Sequence, residues 1–140
     1  MKACIFHDTS PGQQDRKIFE IVEDAYTLQV PALIYAQNDE RAAAIDRFLW
    51  ILKQDSFVPH RIFNSEEPDS SVRIAIVTME INPVNAHILI ADGHCGLEFA
   101  RRFEIVHEFV NRASPEIHEA CRERFRSYRS ENIPVQHLKE

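Results

Sequence analysis

The chain has 140 residues, 44% of them hydrophobic and 27% charged, with a formal net charge of −6. Such a composition excludes disordered, collagenous and disulfide-framework classes, and the length suits one domain that buries about two-thirds of its unfolded surface without staples. The acid excess excludes a protein that coats nucleic acid by charge alone. No apolar run approaches the roughly 18 residues of a membrane span, and Met1-Lys2-Ala3-Cys4-Ile5-Phe6 lacks a signal-peptide core, so a cytoplasmic protein is expected. Cys4, Cys95 and Cys121 have no paired spacing and read as reduced thiols.

Taken in order, Lys2 to His7 reads as a buried first strand. Ser10-Pro11-Gly12-Gln13 has the form of a capping box, opening a helix whose apolar face is Ile18, Ile21, Val22, Ala25 and Tyr26. Gln29-Val30-Pro31 breaks it, and Ala32 to Ala36 reads as a second buried strand. Asn38-Asp39 can cap a second helix, with Ala42, Ile45, Phe48, Leu49 and Leu52 on its apolar stripe. Trp50 lies about 140° from Ile45 on that helix, so a helix that buries the stripe turns its tryptophan elsewhere. Phe57 follows in a segment that Pro59 holds extended. These two aromatics form either a second packing layer or a partner-binding surface.

Asn64 to Ser71 is a polar loop. Arg73 to Met79 and Ala86 to Ala91 are strands, and the link between them, Glu80 to Asn85, is too short for a crossover helix. They are therefore expected as antiparallel neighbours or as a strand pair broken at Pro83. Phe103 to Val110 is assigned as a strand, although its periodicity also fits a helix. Ser114-Pro115 starts a last helix, with Ile117, Ala120, Cys121 and Tyr128 on its apolar side. Arg122, Arg126 and Arg129 cluster about 120° to 180° away, and Phe125 sits at the seam. Arg124 falls inside the apolar stripe, where only snorkelling would accommodate it. The fold expected is α/β: one domain over residues 1–130 with a five-stranded mixed sheet and helices on both faces, followed by a C-terminal tail over 131–140.

Chemistry is sparse. Glycine occurs only at 12, 93 and 96, so neither a dinucleotide-binding fingerprint nor a P-loop is present. The histidines lack metal-ligand spacing, and no cofactor is expected. Asp92-Gly93-His94-Cys95-Gly96 is either a tight turn with a buried cysteine or a thiol nucleophile of a small hydrolase. Arg122, Phe125, Arg126 and Arg129 form either a solvated basic face, a single-stranded nucleic-acid binder, or a site where guanidiniums hold a carboxylate beside an aromatic. Residues 101–130 hold seven arginines against five glutamates, whereas residues 1–40 hold seven acidic residues against three basic ones. That asymmetry favours a selective anionic partner over bulk DNA.

Leu49-Trp50, a five-residue spacer and Ser56-Phe57-Val58-Pro59-His60 resemble a signature of the chi subunit of bacterial DNA polymerase III. Arg122-Glu123-Arg124-Phe125-Arg126-Ser127-Tyr128-Arg129 resembles a second, with Phe125 where tyrosine is common. The resemblance implies a Rossmann-like domain and a non-catalytic accessory subunit of the holoenzyme, handing primed template from primase to polymerase. It assigns Trp50 and Phe57 to a surface that docks a psi-like clamp-loader subunit as a 1:1 heterodimer. It assigns Arg122, Phe125 and Arg126, with Val110 beside them, to the acidic C-terminal tail of single-stranded DNA-binding protein, so that nucleic acid is met only indirectly.

Overall fold

The apolar runs become a sheet whose central strands are almost wholly buried. The computed structural model describes residues 1–51 and 58–139. Its strands are β1 (Ala3–Asp8), β2 (Ala32–Tyr35), β3 (His60–Ile62), β4 (Ile74–Val77), β5 (Ile88–Ala91), β6 (Ile105–Phe109) and β7 (Val135–Lys139). They form one sheet in the order β3-β4-β2-β5-β6-β1-β7, and every pairing is parallel. The expected mixed sheet of five strands is thus corrected to a parallel sheet of seven.

Both additional strands lie at edges. β3 exposes Arg61 and Ile62, and β7 exposes its last four residues, within the segment set down as a tail. Neither carries an apolar pattern, because an edge strand can be held by backbone pairing with little side-chain burial. The short link from β4 to β5 also misled: β2 lies between them, and both run parallel to it. Residues 78–87 make the crossing as an ordered loop, with Ile81 and Val84 packed on the core. Asn82 pins it, accepting the Ala86 N–H at 2.7 Å and donating to the Ala86 carbonyl at 3.2 Å.

Helices α1 (Gln14–Thr27), α2 (Asp39–Ile51), α3 (Leu97–Ala100) and α4 (Pro115–Ser130) cover both faces. Ile18, Phe19, Val22, Ala42, Ile45 and Leu49 of α1 and α2 pack on Ile34, Ile74, Ile76 and Ile90. On the other face Phe99, Ala100 and Tyr128 of α3 and α4 meet Phe6, Leu33, Leu89 and Val106. The expected capping box at Ser10 does not form: Pro11–Gln13 is a 3-10 turn, and the Ser10 side chain makes no cap bond there. Asn38 does cap α2, its Oδ1 accepting the Arg41 N–H at 2.8 Å. Ser114 caps α4, accepting the Ile117 N–H at 3.2 Å with Pro115 in the first turn.

A parallel sheet gathers all strand C-termini at one rim, where open α/β sheets usually take ligands. Here a crevice of about 310 Å³ has Gln14, Gln37, Asp92, His94 and Asn111 in its wall. The buried Asp92 carboxylate accepts from Gln14, from the Gln37 N–H and twice from Arg41, whose guanidinium also reaches Asp15 at 2.7 Å. Gly93 is needed beside this network, since a Cβ there would stand 2.7 Å from the Gln37 Cα.

Candidate partner-binding site

The arginine-rich helix α4 borders a groove of about 340 Å³ on the side of β1 and β7. Val110, Arg122, Phe125 and Arg126, the residues singled out for an acidic tail, all line it, together with His118 and Cys121. Spacing explains the alignment: residues 118, 122, 125, 126 and 129 recur at three and four positions and so share one helix face. Phe125 is half-buried, its ring edge-on to Phe6 with centroids 5.2 Å apart. It forms an apolar floor among cations.

Those cations differ in freedom. Arg112 makes a two-pronged ion pair with Asp8, which also contacts His137 at 3.1 Å. The Arg112 guanidinium, followed by His137, holds the Asp8 carboxyl down at about 2. Arg126 contacts Glu119 at 3.3 Å with both side chains largely exposed. Among the described residues, neither Arg122 nor Arg129 has a carboxylate at ion-pair distance, and Arg129 lies 5.8 Å from the Phe125 ring centre. An incoming carboxylate therefore meets two guanidiniums not already committed to an acid, and a planar fork can take it through paired hydrogen bonds.

Far from the groove, Trp50 is 48% exposed, and neighbouring Ile51 is 57% exposed. Its indole leans on the imidazole of His60, with ring centroids 4.6 Å apart. His60 in turn is buried, its Nδ1 at 2.7 Å from the Val58 carbonyl and its Nε2 at 3.2 Å from the Asp46 carbonyl. Phe57, expected beside Trp50, lies outside the described residues.

Cys95 offers little to a nucleophile. It is 2% exposed, and burial pushes its thiol up to about 11. His94, adjacent in sequence, directs Nε2 toward the sulfur of Cys121 at 3.7 Å. The Cys95 carbonyl accepts from Arg124 at 2.6 Å, so the turn serves as a structural anchor.

The family model described as DNA polymerase III chi subunit, HolC, matches residues 1–136 of the chain. The chain belongs to the chi family. A search of the curated proteins found no match. Membership makes it a DNA polymerase III chi subunit with a role in DNA replication.

In this chi-family chain the position of Arg124 has a physical reason. Its guanidinium grips the Glu108 carboxylate of β6 at 2.6 and 3.0 Å, and the Tyr128 hydroxyl donates to the same carboxylate at 2.8 Å. Glu108 is 1% exposed and Arg124 11% exposed by side chain. Arg124 therefore points inward to join α4 to the sheet, and it is the arginines at 122, 126 and 129 that face the groove. Sequence reading missed Arg112, His137 and Phe6 as groove residues. The first was visible only as one arginine among seven, and the others belong to β1 and β7, whose adjacency requires the sheet.

Proposed function

We propose that this chi-family chain is a non-catalytic adaptor with two separate contact faces. One is the groove of Val110, Arg122, Phe125 and Arg126, which takes the acidic C-terminal tail of single-stranded DNA-binding protein. The other is the surface around Trp50 and Phe57, which docks a psi-like clamp-loader subunit one to one and so bridges the clamp-loader complex to the coated template. Contact with nucleic acid is indirect.

What supports the first assignment is the convergence on one groove of an apolar ring with Arg122 and Arg129, neither of which has a carboxylate at ion-pair distance among the described residues. Apolar side chains near a peptide terminus can lie on Phe125 while the terminal carboxylate meets a guanidinium. Titration calorimetry with a synthetic acidic tail peptide tests it. Arg122→Ala is expected to weaken binding at least tenfold, about 1.4 kcal/mol, and Phe125→Ala to weaken it as well. Unchanged affinity in both variants, or tighter salt-sensitive binding to random single-stranded DNA than to the peptide, would refute the assignment.

The second assignment is supported by the exposed indole of Trp50 beside exposed Ile51. Trp50→Ala is expected to cost about 2 kcal/mol or more of binding to a psi subunit, with tail-peptide affinity unchanged. Loss of both affinities together would point to a folding defect and remove the support.

A further inference from the structure

Strand β7 closes the sheet on the groove side and, among the described residues, pairs with β1 alone. The Cys4 N–H donates to the Pro134 carbonyl at 2.9 Å, in a register that sets Cys4 opposite Val135 and Phe6 opposite His137. Successive residues of a strand turn their backbone groups to opposite sides. Pro134, Gln136 and Leu138 thus face β1, and Val135, His137 and Lys139 present theirs outward. The same alternation puts the side chains of Val135 and His137 on the α4 side, where Val135 packs on the core and His137 lines the groove, 6.4 Å from the Phe125 ring. One residue therefore belongs both to the basic groove and to the unpaired backbone of the sheet edge.

Edges of this kind are normally blunted by proline, bulges, short length or charged side chains, lysine above all. The opposite edge, β3, is three residues long. β7 is five residues long, has no proline between Val135 and Lys139, leaves Leu138 47% exposed, and carries Lys139 as its only formal charge. It is the more open template.

We propose that β7 is a strand-addition site for the residues that precede the acidic C-terminal segment held in the groove. The inference rests on the groove reading above. Charge identifies the occupant: Arg122, Arg126, Arg129 and Lys139 border the path, and Asp8 beside them is already paired with Arg112. An acidic, extended peptide complements that rim, whereas a second copy of β7 would set Lys139 and His137 against a strand of the same character.

Three synthetic peptides test it by calorimetry and amide hydrogen exchange. They are a short acidic peptide with a free carboxyl terminus, the same peptide lengthened at its N-terminus by about eight uncharged residues, and the long peptide N-methylated at alternate backbone positions in either register. The long peptide is expected to bind about tenfold tighter than the short one, with methylation in one register abolishing the gain and in the other preserving it. The amides of Val135, His137 and Lys139 should gain protection with the long peptide only. Equal affinities for short and long peptides, or no protection of those amides, would overturn strand addition and leave the groove reading standing. No binding of the short peptide would overturn both. Protection that rises with protein concentration in the absence of peptide would assign the edge to a second copy and overturn the proposal.

Discussion

Arg124 and its neighbours at 122 and 126 have the same side chain and opposite tasks, separated only by their angle on the helix. Arg124 and Glu108 share a buried pair with Tyr128 and the Cys95 carbonyl. Removing one partner strands the other charge away from water, which typically costs more than the pair contributes. Arg124→Met is expected to destabilise the fold by about 3 kcal/mol or more in urea unfolding. Arg122→Met should change the unfolding free energy by no more than about 0.5 kcal/mol, since it sits on the surface away from any such pair. A comparable loss in both variants would mean that Arg122 also supports the fold.

At the scale of elements, α4 must end sharply so that the chain can enter β7 beside the groove. It does so through a Schellman turn, in which the Ile133 N–H reaches the Tyr128 carbonyl and the Asn132 N–H the Arg129 carbonyl. Asn132 takes the left-handed conformation this requires, with φ of 62°, and Ile133 packs back on the core. Asn132→Ala is expected to cost about 1 kcal/mol of stability, whereas Asn132→Gly should be neutral or stabilising. Thermal melts of the two variants decide it, and equal destabilisation by both would show that the asparagine side chain, and not its backbone angle, matters. Strand addition on β7 also belongs to this scale, because it depends on how an element terminates the sheet.

Across the whole molecule, a pair of histidines joins β1 to β6 beneath α1. His7 and His107 share a 2.9 Å hydrogen bond with stacked rings, and burial lowers His7 to about 4 and His107 to about 3, with Lys17 adding to both. The folded values lie below the unfolded value of 6.5, so in acid the unfolded chain binds protons that the folded chain excludes. Stability from this source is full above pH 6.5 and falls as pH drops toward the folded values, by up to about 1.4 kcal/mol per pH unit for each ring. His94, also lowered by burial, acts in the same direction. Asp8 contributes only in a lower window, where stability present above 3.8 is lost as pH falls through about 2. Urea unfolding between pH 7 and pH 5 should show the decline, and His107→Asn should make it shallower. A flat profile in the unmodified chain would contradict the buried neutral pair.

Periodicity left Phe103 to Val110 open between strand and helix. With turn chemistry it determined by itself the other four apolar strands, the three long helices, the off-stripe angle of Trp50 and the common face of Arg122, Arg126 and Arg129 with Phe125 at its seam. Each is a property of residues near one another in the chain, where a repeat of two or three to four positions leaves a readable trace. Tertiary structure alone decided the strand order, the parallel sense of β4 and β5 about an intervening β2, and the two edge strands. It also paired Arg124 with Glu108, and brought Phe6, Arg112 and His137 to the groove. These are contacts between distant segments, set by which surfaces can be buried together, and a lone sequence records such pairing only where it also alters local composition.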